Sequence, residues 1–254
     1  MEEIVPLFKS HCSLGRSILT LEKPKDEADT ETSDSVFDIV KQENLEDVFL
    51  VEDNMTGFLQ AYTNAEELGV KLVFGLRITF CPDHANKSEE GRKNSYKNII
   101  FAKNNAGYKQ LIKIYTHASQ DGFYYEPRTD NAKFKEFYTN DLMLATPFYD
   151  SFLYVNKYTD SSCVPDFSFC DPVFFVEDND VLVDQDLEAS VRKFCDGKHD
   201  VIKTKSIFYK NKTDFGAYLT HRCISKRTSL EKPNFDGMCS NEFCFESYKE
   251  VVNG

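Results

Sequence analysis

The stretch K-N-I-I-F-A-K-N-N-A-G-Y-K-Q-L-I-K-I-Y-T-H-A-S-Q-D-G-F-Y-Y-E-P-R-T-D, Lys97 to Asp130, contains the plan of the fold in miniature. Its apolar run from Ile99 to Ala102 reads as a strand. An Asn-Asn-Ala-Gly-Tyr turn follows, and apolar residues at helical spacing then predict a helix over 106–118. An aromatic-Pro-Arg segment, Phe123 to Arg128, closes the unit.

The same alternation extends outward in both directions. Ile4 to Lys9 predicts a first strand, and the polar, acidic, Pro-containing segment Glu22 to Ser35 an exposed loop. Val36 to Glu43 has one apolar face and Ser35 or Asp34 as N-cap, which predicts a short helix. Val48 to Val51 is a short apolar strand. Met55 to Leu68 reads as a helix with Phe58, Leu59, Tyr62 and Ala65 on one face and Gly69 at its C-terminal cap. Leu72 to Phe80 alternates as a strand does, and Cys81 to Lys97 reads as a polar loop. Further strands are expected at Leu142 to Ala145, Pro172 to Val176 and Val201 to Tyr209, with helices at Asp184 to Phe194 and Asp214 to Ile224. Strand and helix in strict alternation with short connections argue a parallel sheet, closed or open. About seven such units fit a barrel with helices outside. No internal repeat or interdomain linker interrupts the chain, so 1–254 is expected to form one domain, with a divergent insertion at about 147–171.

The chain has 254 residues, enough to bury a full core, and 41% hydrophobic and 14% aromatic content marks it as globular. A net charge of -12 repels phosphate backbones at long range, so the surface as a whole is not a nucleic-acid footprint. The cysteines (Cys12, Cys81, Cys163, Cys170, Cys195, Cys223, Cys239 and Cys244) show neither a C-x-x-C pair nor zinc-ribbon spacing, and free thiols in a cytoplasmic protein are expected. The N-terminus MEEIVPLFKS is charged and lacks the apolar core of a secretory signal. No apolar run reaches the roughly 18 residues that span a bilayer. A dinucleotide G-x-G-x-x-G, a P-loop and a G-x-S-x-G elbow are all absent.

The stretch from Lys97 to Asp130 resembles part of the PHP (polymerase and histidinol phosphatase) domain of the bacterial replicative DNA polymerase III alpha subunit. Val48 to Thr79, Val201 to Asp214 and Thr228 to Phe245 resemble further segments of the same domain in the same order, and only Pro147 to Asp171 has no counterpart. The resemblance implies a distorted (β/α)7 TIM-like barrel of the PHP type, an α/β fold whose metal site lies at the C-terminal ends of the strands. It also implies ligands: clustered His, Asp, Glu and Cys side chains that hold two or three divalent ions such as Zn, Mn or Mg, which activate water and clamp a phosphate.

Ligand by ligand, this chain departs from that pattern. The opening His-x-His reads Lys9-Ser10-His11, and the Asp-His of the second motif falls near Glu52-Asp53-Asn54. A Glu position holds Arg77, a His position Lys97 and a Cys position Phe148; an Asp and a His hold Ser206 and Phe208. His11 and Asp53 remain as candidate catalytic residues. Guanidinium is always charged and would repel a dication. The expectation is therefore a catalytically degenerate PHP domain without a metal cofactor, acting as a replication accessory or scaffold that binds a replicative polymerase or proofreading exonuclease subunit. Two other readings stand beside it: a metal-dependent phosphoesterase or 3′–5′ exonuclease with an unusual site, and a metal-free protein in which Lys9, Arg77 and Lys97 bind a phosphate or a nucleic-acid end. The chain ends where the PHP region would end and carries no polymerase palm, so no polymerisation by this chain is expected.

Other residues are read as structural. His84, His117, His199 and His221 fall outside the ligand motifs and are expected on the surface or in packing. Phe123-Tyr124-Tyr125 is expected to pack its loop rather than stack bases. Arg222, Lys226 and Arg227 form a basic cluster suited to a helix C-terminus.

Overall fold

A computed structural model describes residues 4–11, 18–27, 34–226, 229 and 240–253. The first strand, β1 (Val5–Phe8), pairs in parallel with β2 (Asp47–Glu52) and with β8 (Val201–Ile207). Continuing around the sheet come β7 (Val173–Val176), β6 (Leu142–Thr146), β4 (Tyr96–Ala102) and β3 (Lys71–Phe80). Parallel pairing of β3 with β2 closes a barrel of 7 strands, and β5 (Arg128–Thr129) attaches outside it to the end of β3.

The all-parallel sheet expected from sequence is corrected at one strand. β4 runs antiparallel to both β3 and β6, with Thr79 opposite Lys97 and Ile99 opposite Ala145. The segment 81–97, expected as a polar loop, contains α3 (Glu89–Lys93), and Tyr96 and Lys97 already belong to β4. This connection reverses the chain, whereas a crossover helix would keep it parallel.

Side chains alternate across each strand and build two layers. Leu7, Val51, Ile99, Phe101, Ala145 and Phe175 meet inside the barrel. The opposite faces, including Leu50, Leu76, Ile100, Leu144 and Phe174, pack against the surrounding helices. These helices are α1 (Val36–Glu43), α2 (Phe58–Leu68), α4 (Asn105–Ser119), α5 (Asn131–Phe137), α6 (Phe152–Tyr158), α7 (Asp184–Cys195), α8 (Phe215–Lys226) and α9 (Phe245–Asn253). The expected caps are present: the Ser35 side chain accepts from Phe37 N–H, and Gly69 ends α2 in the left-handed region at φ 69°.

The face of α2 is a second correction. Leu59 is 72% and Tyr62 43% exposed, while Ala61, Asn64 and Ala65 are buried. Of the expected face, Ala65 is buried and Phe58 meets Phe74 of β3 edge-on at 5.1 Å, while Leu59 and Tyr62 turn outward and Ala61 and Asn64 take their place. The divergent segment 147–171 forms α6, which the sequence reading left unassigned, and α5 and α9 were likewise not expected. Cys81, Cys163, Cys170, Cys195, Cys223 and Cys244 are free thiols; Cys12 and Cys239 lie outside the described residues. So does the middle of the acidic segment, 28–33. No helix among the described residues is long and apolar enough to cross a membrane.

Candidate functional site

Counting two residues beyond the barrel's inner layer reaches its mouth at the C-terminal ends of the parallel strands. Lys9 lies two beyond Leu7, Asp53 two beyond Val51, Glu177 two beyond Phe175, and Lys97 two before Ile99 on the reversed β4. Arg77 and Thr79 continue the inward face of β3. Period-2 alternation alone therefore converges the substituted ligand positions.

What converges is a set of ion pairs. The Lys9 ammonium donates to Asp53 Oδ2. Arg77 bridges two carboxylates, donating to Asp53 Oδ1 at 3.1 Å and to Asp150 Oδ2. Lys97 donates to Thr79 Oγ1 on the neighbouring strand and to Glu126 Oε2 at 2.7 Å. Three cations thus meet three carboxylates, Asp53, Asp150 and Glu126. Burial alone would raise the Asp53 carboxyl, but the charges of Lys9 and Arg77 overcome it and hold that carboxyl well below the usual range. Arg77 likewise keeps its charge against burial because Asp53 and Asp150 flank it.

Two further acids, Glu52 and Glu177, are buried. Glu52 accepts from Ser10 N–H at 2.8 Å, and desolvation pushes its pKa up to about 7. Glu177 accepts from Ser206 N–H at 3.0 Å and Ser206 Oγ–H at 2.8 Å, and Asn179 Nδ2 donates to it at 2.8 Å. Burial raises its pKa in spite of those donors. His11 is also buried, with its ring 4.3 Å from that of His221 and 5.9 Å from Tyr218. Desolvation, and then the charges of His221 and Lys9, lower its pKa to about 3, so the imidazole is neutral near pH 7.

The remaining substituted positions point elsewhere. Phe148 is fully buried between sheet and helices, and Phe208 stacks on Tyr218 with ring centroids 5.5 Å apart. Ser206 serves Glu177. An ammonium or guanidinium group has no lone pair for a metal, and Phe148 and Phe208 have no donor atom at all. Lys9, Arg77, Lys97, Phe148 and Phe208 therefore offer no ligand atom where the resemblance implies one. His11 and Asp53 share an electrostatic neighbourhood through Lys9, and Lys9, Arg77 and Lys97 do converge, each with a carboxylate partner.

Sequence reasoning missed Asp150, Glu126 and Glu177, and reached Glu52 only as a neighbour of Asp53 in the second motif. Asp150 pairs with Arg77 across 73 positions and Glu126 with Lys97 across 29, and no local spacing signals either contact. Glu177 was the exception: it continues the alternation Val173, Phe175 along β7.

The structural residues divide. Arg128 is fully buried; its Nε–H donates to Gly122 O at 3.2 Å, and its Nη2 donates to His84 O and Asn86 O at 3.3 Å. Tyr124 lies under that guanidinium, 5.1 Å from its ring centroid, while Phe123 and Tyr125 are exposed. His199 contacts Asp171 Oδ1 at 3.0 Å. Arg222 donates to Tyr218 OH at 3.4 Å; the Lys226 side chain and Arg227 lie outside the described residues.

Residues 30–157 match the family model described as the PHP domain. DNA polymerase III subunit alpha of Borreliella burgdorferi is 34% identical over 79 residues, covering 30% of this chain and 7% of that protein. The subunit of the same name from Helicobacter pylori is 34% identical over 83 residues (33% of this chain, 7% of that protein). That of Aquifex aeolicus is 32% identical over 84 residues (30% and 7%). These matches thus span about 7% of the length of each of those relatives.

Proposed function

The chain belongs to the PHP domain family, and from that membership we propose that it is a non-hydrolytic PHP barrel of the DNA-replication type that works by holding a protein partner. The partner class is a replicative polymerase or a proofreading exonuclease subunit, since the relatives cited are alpha subunits of DNA polymerase III. One observation carries the reading. Where the resemblance calls for metal ligands, Lys9, Arg77 and Lys97 stand in ion pairs with Asp53, Asp150 and Glu126. Metal-assisted hydrolysis needs open coordination positions and a water of lowered pKa. Ion pairing of Lys9, Arg77 and Lys97 with carboxylates favours neither, and an incoming phosphate would have to displace a carboxylate from each of these three cations.

The barrel itself is held by its inner layer and by the helices packed on the outside. The test is co-elution. The full chain, tagged, is mixed with purified replicative alpha subunit and, separately, with the proofreading exonuclease. A stable complex with at least one of them, unaffected by a chelator, is expected. Absence of both complexes, together with metal-dependent phosphodiester hydrolysis by the chain alone, would overturn the proposal.

A further inference from the structure

Outside the barrel mouth, where β3 and β5 end side by side, a second group of donors gathers. Asp83 and His84 follow β3, and Asp130 follows β5. One ligand atom from each of these three residues lies within 4.8 Å of the others. Asp130 divides its two oxygens: Oδ1 caps α5 by accepting from Lys133 N–H at 2.7 Å, while Oδ2 faces the His84 ring Nδ1 and accepts from His84 N–H at 3.0 Å.

His117, on the last turn of α4, stands beside these three residues. Its ring stands edge-on to that of His84, with centroids 4.7 Å apart. Its Nδ1 is 3.3 Å from Asp121 Oδ2, and an ionised carboxylate only accepts, so Nδ1 carries the proton. The other nitrogen, Nε2, is left with a lone pair. His117 is only 8% exposed, and Nε2 has no hydrogen-bond partner among the described residues. A buried imidazole lone pair without a donor carries a desolvation cost. A metal-ligating histidine also usually donates its other ring N–H to a carboxylate, as His117 does to Asp121.

We propose that Asp83, His84 and Asp130, with His117 Nε2 as fourth donor, bind a divalent transition-metal ion of the zinc type. Two imidazoles and two carboxylates suit Zn²⁺ in tetrahedral geometry. The ion takes the place of the proton between His84 Nδ1 and Asp130 Oδ2, and that proton is released to solvent. Tetrahedral zinc needs donor atoms roughly 3.3–3.5 Å apart, which the exposed Asp83 can reach by side-chain rotation. The carboxylates of Asp83, Asp130 and Asp121 outnumber the guanidinium of Arg128, which is bonded to the backbone carbonyls of Gly122, His84 and Asn86. Bound there, the ion pins the loop after β3 to the start of α5 and the end of α4. It lies away from the ion pairs at the mouth, and the inference does not rest on the proposed function.

The test uses the full chain, stripped with a chelator and titrated with Zn²⁺ by calorimetry, and with Co²⁺ followed by its visible absorption. One equivalent should bind, with the absorption of a four-coordinate site. His84→Ala, and separately Asp83→Asn, should each weaken binding at least about tenfold. Asp83→Asn keeps the oxygen that accepts from Ala85 N–H, so its effect is not one of folding. Asp53→Asn, at the mouth, should bind as the wild type does. Failure to bind one equivalent, unchanged affinity in both His84→Ala and Asp83→Asn, or loss of binding in Asp53→Asn would each overturn the assignment.

Discussion

Glu52 shows how the mouth is tuned at the level of one side chain. Burial raises its pKa from 4.5 to about 7, so the folded protein holds a proton that the unfolded chain releases. The stability this proton brings is fully present below pH 4.5 and is lost as pH rises through about 7. Glu52→Gln keeps an acceptor for Ser10 N–H and removes the charge. Relative to wild type it should gain on the order of 3 kcal/mol between about pH 4 and pH 8, at 1.36 kcal/mol per pKa unit. Urea unfolding of both proteins at the two pH values measures this, and the opposing contribution of His11 is common to both and cancels. An equal difference at both pH values would mean that Glu52 titrates normally. Lys9, Arg77 and Lys97 were legible in the sequence because the resemblance sets each of them at a ligand position. Their partners were not: Asp150 and Glu126 lie in loops, where no periodicity says which way a carboxylate turns.

At the scale of elements, the segment 97–130 is held by two glycines in close packing. A Cβ on Gly107, in the first turn of α4, would lie 2.3 Å from Asp141 O; one on Gly122 would lie 1.9 Å from Arg128 O. Both neighbours are backbone atoms and cannot swing away. Gly107→Ala and Gly122→Ala should each destabilise the fold by about 2 kcal/mol or more. Gly216→Ala, in α8 with nothing within 4 Å of its Cβ, should be neutral or stabilising by up to about 1 kcal/mol. Thermal melts of the three variants decide it, and equal shifts in all three would contradict the packing argument. The strands and longer helices were readable because their burial is periodic. The direction of β4 was not, since an apolar run reads the same in either direction. α5 escaped notice because Phe134 is its one buried residue and leaves no stripe. On α2 the expected face held at Phe58 and Ala65 and failed at Leu59 and Tyr62, whose places are taken by Ala61 and Asn64.

At the scale of the whole molecule, family membership and the chemistry of the mouth point in different directions. The barrel closes as the resemblance implies, through β2 and β3, and carries the inner apolar layer that supports a site. The residues above that layer neutralise one another instead of gathering cations. Zinc bound at Asp83, His84 and Asp130 would not conflict with this, because that cluster shares no residue with the ion pairs at the mouth. The central claim is that the mouth does not hydrolyse phosphodiesters, and turnover measures it most directly. The full chain is assayed on a chromogenic phosphodiester and on single-stranded DNA with Mn²⁺, Mg²⁺ or Zn²⁺ supplied, beside Asp53→Ala and His11→Ala. The account predicts no turnover above the metal-only blank in any of the three proteins. Metal-dependent turnover by the wild type that is lost in Asp53→Ala and in His11→Ala would contradict it.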